Sequence, residues 1–86
     1  MKSIEKILLR IKRNPKNVRF KGLCKVCDFY FGPPRQKRSS HRIYKTPWPS
    51  DPRINIQNYK GRAKVYQVRQ VLMAIEKLES ENDNKE

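Results

Sequence analysis

A change of hydrophobic period at Gly32-Pro33-Pro34 constrains this chain more than any other feature. Before it, apolar residues recur at helical spacing; after it, that spacing is absent until Val65. Ile4, Ile7, Leu8 and Ile11 follow the i, i+3, i+4, i+7 pattern, with Ser3 as N-cap and Asn14-Pro15 as stop, which predicts a helix over about 3–13. Asn17 can cap a second helix whose stripe is Phe20, Leu23, Cys24 and Cys27. Gly22 costs that helix about 1 kcal/mol relative to alanine. The run Phe29-Tyr30-Phe31 either finishes this helix or opens a strand.

Between the breaks the chain suits extended structure. Segments at about 34–38, 40–46 and 53–57 fit strands, the last because Ile54 and Ile56 alternate with Asn55 and Gln57. Three prolines within Thr46-Pro47-Trp48-Pro49-Ser50-Asp51-Pro52 make that link a loop, and Asn58 to Arg62 reads as a basic turn. Val65, Val68, Val71, Leu72, Ile75 and Leu78 then trace the apolar face of a final helix, about 65–79. Residues 80–86 offer nothing apolar to bury, so an acidic disordered tail is expected there. The expected fold class is α+β, with a three-stranded antiparallel sheet and helices on one face.

Length and charge narrow the function. At 86 residues the chain makes one small domain, too small for a large pocketed enzyme. The 21 lysines and arginines outnumber the 8 acids. Only Lys77 and Lys85 among the bases, but five of the acids, follow Ile75; residues 1–75 therefore hold 19 bases against 3 acids, a net of +16. Such a field attracts polyanions and points to nucleic acid, a merely soluble basic protein being the bland alternative. The longest apolar run, Val71 to Ile75, is far short of a membrane span, and the N-terminus lacks a secretory pattern, so a cytoplasmic protein without membrane partners is expected. Cys24 and Cys27 form a lone C-x-x-C without a second pair, which favours buried structural thiols over a metal site or a redox centre.

The densest chemistry lies in Arg35 to Lys45, where the single histidine, His41, sits among five basic side chains. A neutral imidazole can act as a base, and neighbouring cations can hold a phosphate and its transition-state charge. RNA supplies its own nucleophile in the 2′-OH, so cleavage requires neither metal nor small-molecule cofactor. The bland reading is a phosphate contact or a solvated side chain. In either strand register His41 stays accessible: with Ile43 inward it lies at the rim of the helical cover, and with Tyr44 inward it lies outside. Trp48 is either a stacking platform for an unpaired base or an anchor for its loop. Lys60, Arg62, Lys64 and Arg69 suit phosphate contact near the start of the last helix, or are ordinary solvated charges.

Lys37-Arg38-Ser39-Ser40-His41-Arg42-Ile43-Tyr44, followed by Arg53-Ile54-Asn55-Ile56 and by Tyr66-Gln67-Val68-Arg69-Gln70-Val71-Leu72, closely resembles the HicA family of type II toxin–antitoxin modules, over about residues 18–79. The resemblance implies a double-stranded-RNA-binding-domain-like fold, α-β-β-β-α, here with an additional N-terminal helix. It makes residues 1–16 a helix and linker and 17–79 the core of a single domain. It further implies a toxin that cleaves mRNA, and a HicB-like antitoxin that binds it and covers the site. The family's catalytic histidine falls on His41. Lys37, Arg38, Ser39, Ser40, Arg42, Lys45, Lys60 and Arg62 are then the candidates to hold RNA phosphate, with Lys37 and Arg42 on the scissile group and Ser39 or Ser40 orienting it. Tyr44 and Trp48 are candidates for base stacking, and Tyr44 or a lysine for the leaving-group acid. One departure stands out: Arg38 occupies the place of the motif glycine, which leaves a crippled toxin or a non-catalytic RNA-binding module as alternatives.

Overall fold

The computed structural model describes residues 2–37, 41–48 and 53–83. Two helices come first, α1 (Lys2–Arg13) and α2 (Phe20–Phe31). Four antiparallel strands follow in the order β1 (Gln36–Lys37), β2 (His41–Tyr44), β3 (Ile54–Tyr59) and β4 (Arg62–Ala63), and α3 (Val65–Asp83) closes the chain. The α+β class is as expected; the sheet gains a short fourth strand. Among the described residues no helix is long and apolar enough to cross a membrane.

The helical stripes became the core. Leu8 and Ile11 from α1, Phe20, Leu23, Cys24, Val26 and Cys27 from α2, and Val68, Val71 and Ile75 from α3 are buried together with Tyr44, Ile54 and Ile56 of the sheet. Burying each of the larger side chains contributes about 1.5–3 kcal/mol. The two cysteines are buried and free, as expected of structural thiols. Burial pushes both thiols above their ordinary range, Cys27 far above it.

Three local expectations change. The N-cap of α2 is Arg19, not Asn17, because Val18 and Phe20 are committed to the sheet: the Ala63 N–H donates to the Val18 carbonyl at 2.9 Å and the Phe20 N–H to the Gly61 carbonyl at 3.0 Å. The aromatic run finishes the helix, which ends at Gly32, where φ is 82° and the N–H returns to the Asp28 carbonyl at 3.1 Å. The basic turn is tighter than expected. Lys60 and Gly61 both have positive φ, as a two-residue primed hairpin demands, and Asn58 Oδ1 accepts the Gly61 N–H at 2.7 Å, so Arg62 pairs back with Tyr59.

The last helix also runs further than its apolar face, through Asp83, so 80–83 are helical; 84–86 lie outside the described residues. Polar anchors account for the extension. Trp48 Nε1 donates to the Glu81 carboxylate at 2.8 and 3.0 Å, and the Tyr30 hydroxyl donates to Glu79 at 3.4 Å.

Candidate nucleic-acid interface

Strand register decides which side of the sheet carries each candidate. Tyr44 pairs with Ile54 and Arg42 with Ile56, and partners across antiparallel strands project to the same face. Since Tyr44, Ile54 and Ile56 are buried, this is the helix-covered side. His41 pairs with Gln57 and Ile43 with Asn55, so these four occupy the opposite, outer face. His41 is half-buried there. Of the two registers considered from sequence, the fold adopts the one with Tyr44 inward.

One contact of the histidine leads to the helical layer. Its Nε2 lies 2.5 Å from Gln57 Nε2, and Gln57 in turn is tied to α3. The Gln57 N–H donates to Gln67 Oε1 at 2.8 Å, and Gln67 Nε2 donates to Gln57 Oε1 at 3.5 Å. Gln67 is buried although it belongs to the polar set of the sequence, which places an amide at the joint between α3 and β3.

Two residues further along β3, or about 7 Å at strand rise, the same face presents Tyr59 at 61% exposure. Lys60 Nζ sits 5.5 Å from the Tyr59 ring centre, and Arg62 is its cross-strand partner. Arg62 also bridges to Arg19, and Asn17, Arg19, Lys60, Gly61 and Arg62 line a polar notch at this end of the sheet. The outer face thus joins one imidazole to an exposed aromatic ring with cations around it.

Several predicted site residues fall elsewhere. Lys37 pairs with Arg42, so both project to the helix side, away from His41. Their charges, with that of Asp28, act on the Cys24 thiol of α2. Arg42 Nη1 lies 3.7 Å from Asp28 Oδ2, which partly neutralises it. Neither residue shares the histidine's side of the sheet, because adjacent strand positions alternate faces. Tyr44 is fully buried and its hydroxyl donates to Asp28 Oδ1 at 2.6 Å. Burial and this hydrogen bond push its phenol far above the ordinary range, and it can neither stack on a base nor reach a leaving group. Trp48 anchors its loop: Glu81 takes its N–H, and Lys77 Nζ lies 4.3 Å over one face of its ring. Lys45 is exposed just beyond β2, and Lys60 and Arg62 are exposed beside Tyr59. Arg38, Ser39 and Ser40 lie outside the described residues.

Sequence reasoning passed over Gln57, Gln67, Tyr59 and Arg19. The signal for Gln57 and Tyr59 was the alternation of β3 itself, which puts both on the side opposite Ile54 and Ile56. Gln67 gave none, being one amide on a helix. No protein-family model, curated protein or solved structure significantly matches the chain.

Proposed function

We propose that the protein is a HicA-type toxin, a metal-independent endoribonuclease acting on mRNA in the cytoplasm, with His41 as general base. The observation that carries this reading is the position of His41: the one histidine of a strongly basic chain stands on the face of the sheet opposite the buried Tyr44, Ile54 and Ile56, the face that also carries the exposed Tyr59 and Arg62. The order α2, β1, β2, β3, α3 supports the double-stranded-RNA-binding-domain-like arrangement, with α1 and β4 as additions.

In the reaction, His41 takes the proton of a ribose 2′-OH, O2′ bonds to phosphorus, and the P–O5′ bond breaks with its electron pair on O5′. The products are a 2′,3′-cyclic phosphate and a 5′-hydroxyl end. Lys60 and Arg62 grip phosphate on that face, and Ser39 and Ser40, which immediately precede His41, orient the scissile group. With Tyr44 buried, the proton for O5′ falls to a lysine of the outer face, Lys45 or Lys60. A HicB-like antitoxin that covers this face silences the toxin.

The test compares wild type with His41→Ala in chelator. Wild type should leave cyclic phosphate ends, and the variant should bind RNA equally but cut at least about 100-fold more slowly. RNA binding without cleavage by either protein makes this a binding module of the same shape. If Arg38→Gly then confers cleavage, the present chain is a toxin disabled at its motif glycine.

A further inference from the structure

Two glutamines that the cleavage chemistry above does not use connect His41 to the helical layer, and their amide orientations follow from one fixed point. A backbone N–H can only donate. The atom of Gln67 that meets the Gln57 N–H at 2.8 Å must therefore be its oxygen. This turns the Gln67 amide nitrogen toward the Gln57 side chain, which must answer with its own oxygen at 3.5 Å. The other end of the Gln57 amide, its NH₂, is then the group 2.5 Å from His41 Nε2. A donor at that distance needs a lone pair, so Nε2 is an acceptor and the proton of the neutral ring sits on Nδ1.

Neutral imidazole in water prefers its proton on Nε2, so this chain of amides reverses the default. Its far end is well fixed, since Gln67 is 3% exposed and accepts the Gln57 backbone N–H at 2.8 Å. We propose that Gln57, oriented by Gln67, is a positioning residue that holds His41 in the Nδ1–H tautomer and keeps the Nε2 lone pair unprotonated, a role whose purpose rests on the ribonuclease reading. The arriving 2′-hydroxyl replaces the Gln57 N–H at Nε2. The proton passes from O2′ to Nε2 while the electron pair of the O–H bond goes to phosphorus.

The tautomer can be read without any substrate, because the chain holds a single histidine and its ring ¹⁵N signals need no assignment among rivals. Once the ¹⁵N signals stop changing as pH is raised, wild type should show Nε2 as the pyridine-type nitrogen and Nδ1 as the pyrrole-type. Gln67→Glu does not touch His41 but offers acceptors only. Gln57 must then turn its NH₂ toward the new carboxylate and its oxygen toward the ring, and the two nitrogens should exchange character. Gln57→Glu should produce the same exchange directly and lower kcat by about 100-fold or more with KM little changed, since a base protonated on the working nitrogen is disabled.

A wild-type ring with its proton on Nε2 overturns the proposal. So does a folded Gln67→Glu protein whose ring keeps the wild-type pattern. If the buried carboxylate prevents folding, wild type and Gln57→Glu decide between them. Cleavage assays run alongside separate the two claims: the Nδ1–H tautomer without cleavage removes the ribonuclease and leaves the positioning chain, whereas cleavage with the opposite tautomer does the reverse.

Discussion

Replacing Tyr44 by phenylalanine separates a core role from a catalytic one. The ring keeps its place among Ile54, Ile56 and the helices, and only the hydroxyl is lost, with its 2.6 Å bond to Asp28. A hydrogen bond to a charged group contributes about 1.5–3 kcal/mol. The Asp28 side chain is 47% exposed and keeps Arg42 at 3.7 Å, so water can replace the lost donor. Screening of that kind puts the expected cost at the low end, about 1.5 kcal/mol. For a domain this size each kcal/mol moves Tm by about 4–8 °C, so Tyr44→Phe should melt roughly 6–12 °C lower. Thermal unfolding followed by circular dichroism near pH 7 gives the shift, and urea titration checks that the m-value is unchanged. RNA affinity and cleavage at 25 °C should equal wild type, because the hydroxyl lies on the opposite side of the sheet from His41. A variant that melts within about 2 °C of wild type yet has lost cleavage on the order of 100-fold would refute this placement and return Tyr44 to the chemistry.

Two further predictions concern alkaline stability and the RNA contact surface. Cys24, Cys27 and Tyr44 all hold their protons more tightly folded than unfolded, so above their ordinary values the unfolded chain binds fewer protons and stability falls as pH rises. Stability should be level through neutrality and decline from about pH 9, by up to roughly 1.4 kcal/mol per pH unit for each fully buried group. In Cys24→Ala/Cys27→Ala the decline should begin nearer pH 10; urea midpoints that keep the wild-type pH onset in the double variant contradict the assignment to thiols. On the outer face, Arg62→Ala should reduce the slope of log K against log salt by about 0.7 for single-stranded RNA. Tyr59→Ala should cost about 1–3 kcal/mol of affinity if a base stacks there. Lys37→Ala should leave affinity and slope unchanged, and equal losses at Lys37 and Arg62 would show that RNA does not prefer the face bearing His41.

The helices were legible because their apolar residues repeat at 3.6, and the same positions became the core: Leu8, Ile11, Leu23, Val68, Val71 and Ile75. Strand β4 was not, since Arg62-Ala63 is too short to show a period and exists through a turn that draws Lys60 into left-handed geometry. Nor did the final helix reveal its true length, because Glu79 and Glu81 are held by Tyr30 and Trp48, partners far away in the chain. For the site, the accessibility of His41 followed from either register. Its surroundings did not. Lys37, Arg42 and Tyr44 are near it along the chain, but strand alternation and antiparallel pairing carry them to the helix side, while Gln57 and Tyr59 arrive from β3. Arg42 and Tyr44 were already on the wrong parity in the sequence; Gln67 needed the packing of α3 against β3.

The two-sided sheet also divides the chain's mutational freedom. In β2 and β3 every other residue faces the helices, and the intervening ones, 41, 43, 55, 57 and 59, face the other way, with Gln57 tied back to α3 through Gln67. Selection can therefore rewrite the exposed members of one set while the other preserves foldability, and a library randomised only at 55 and 59 should yield folded proteins rather than casualties.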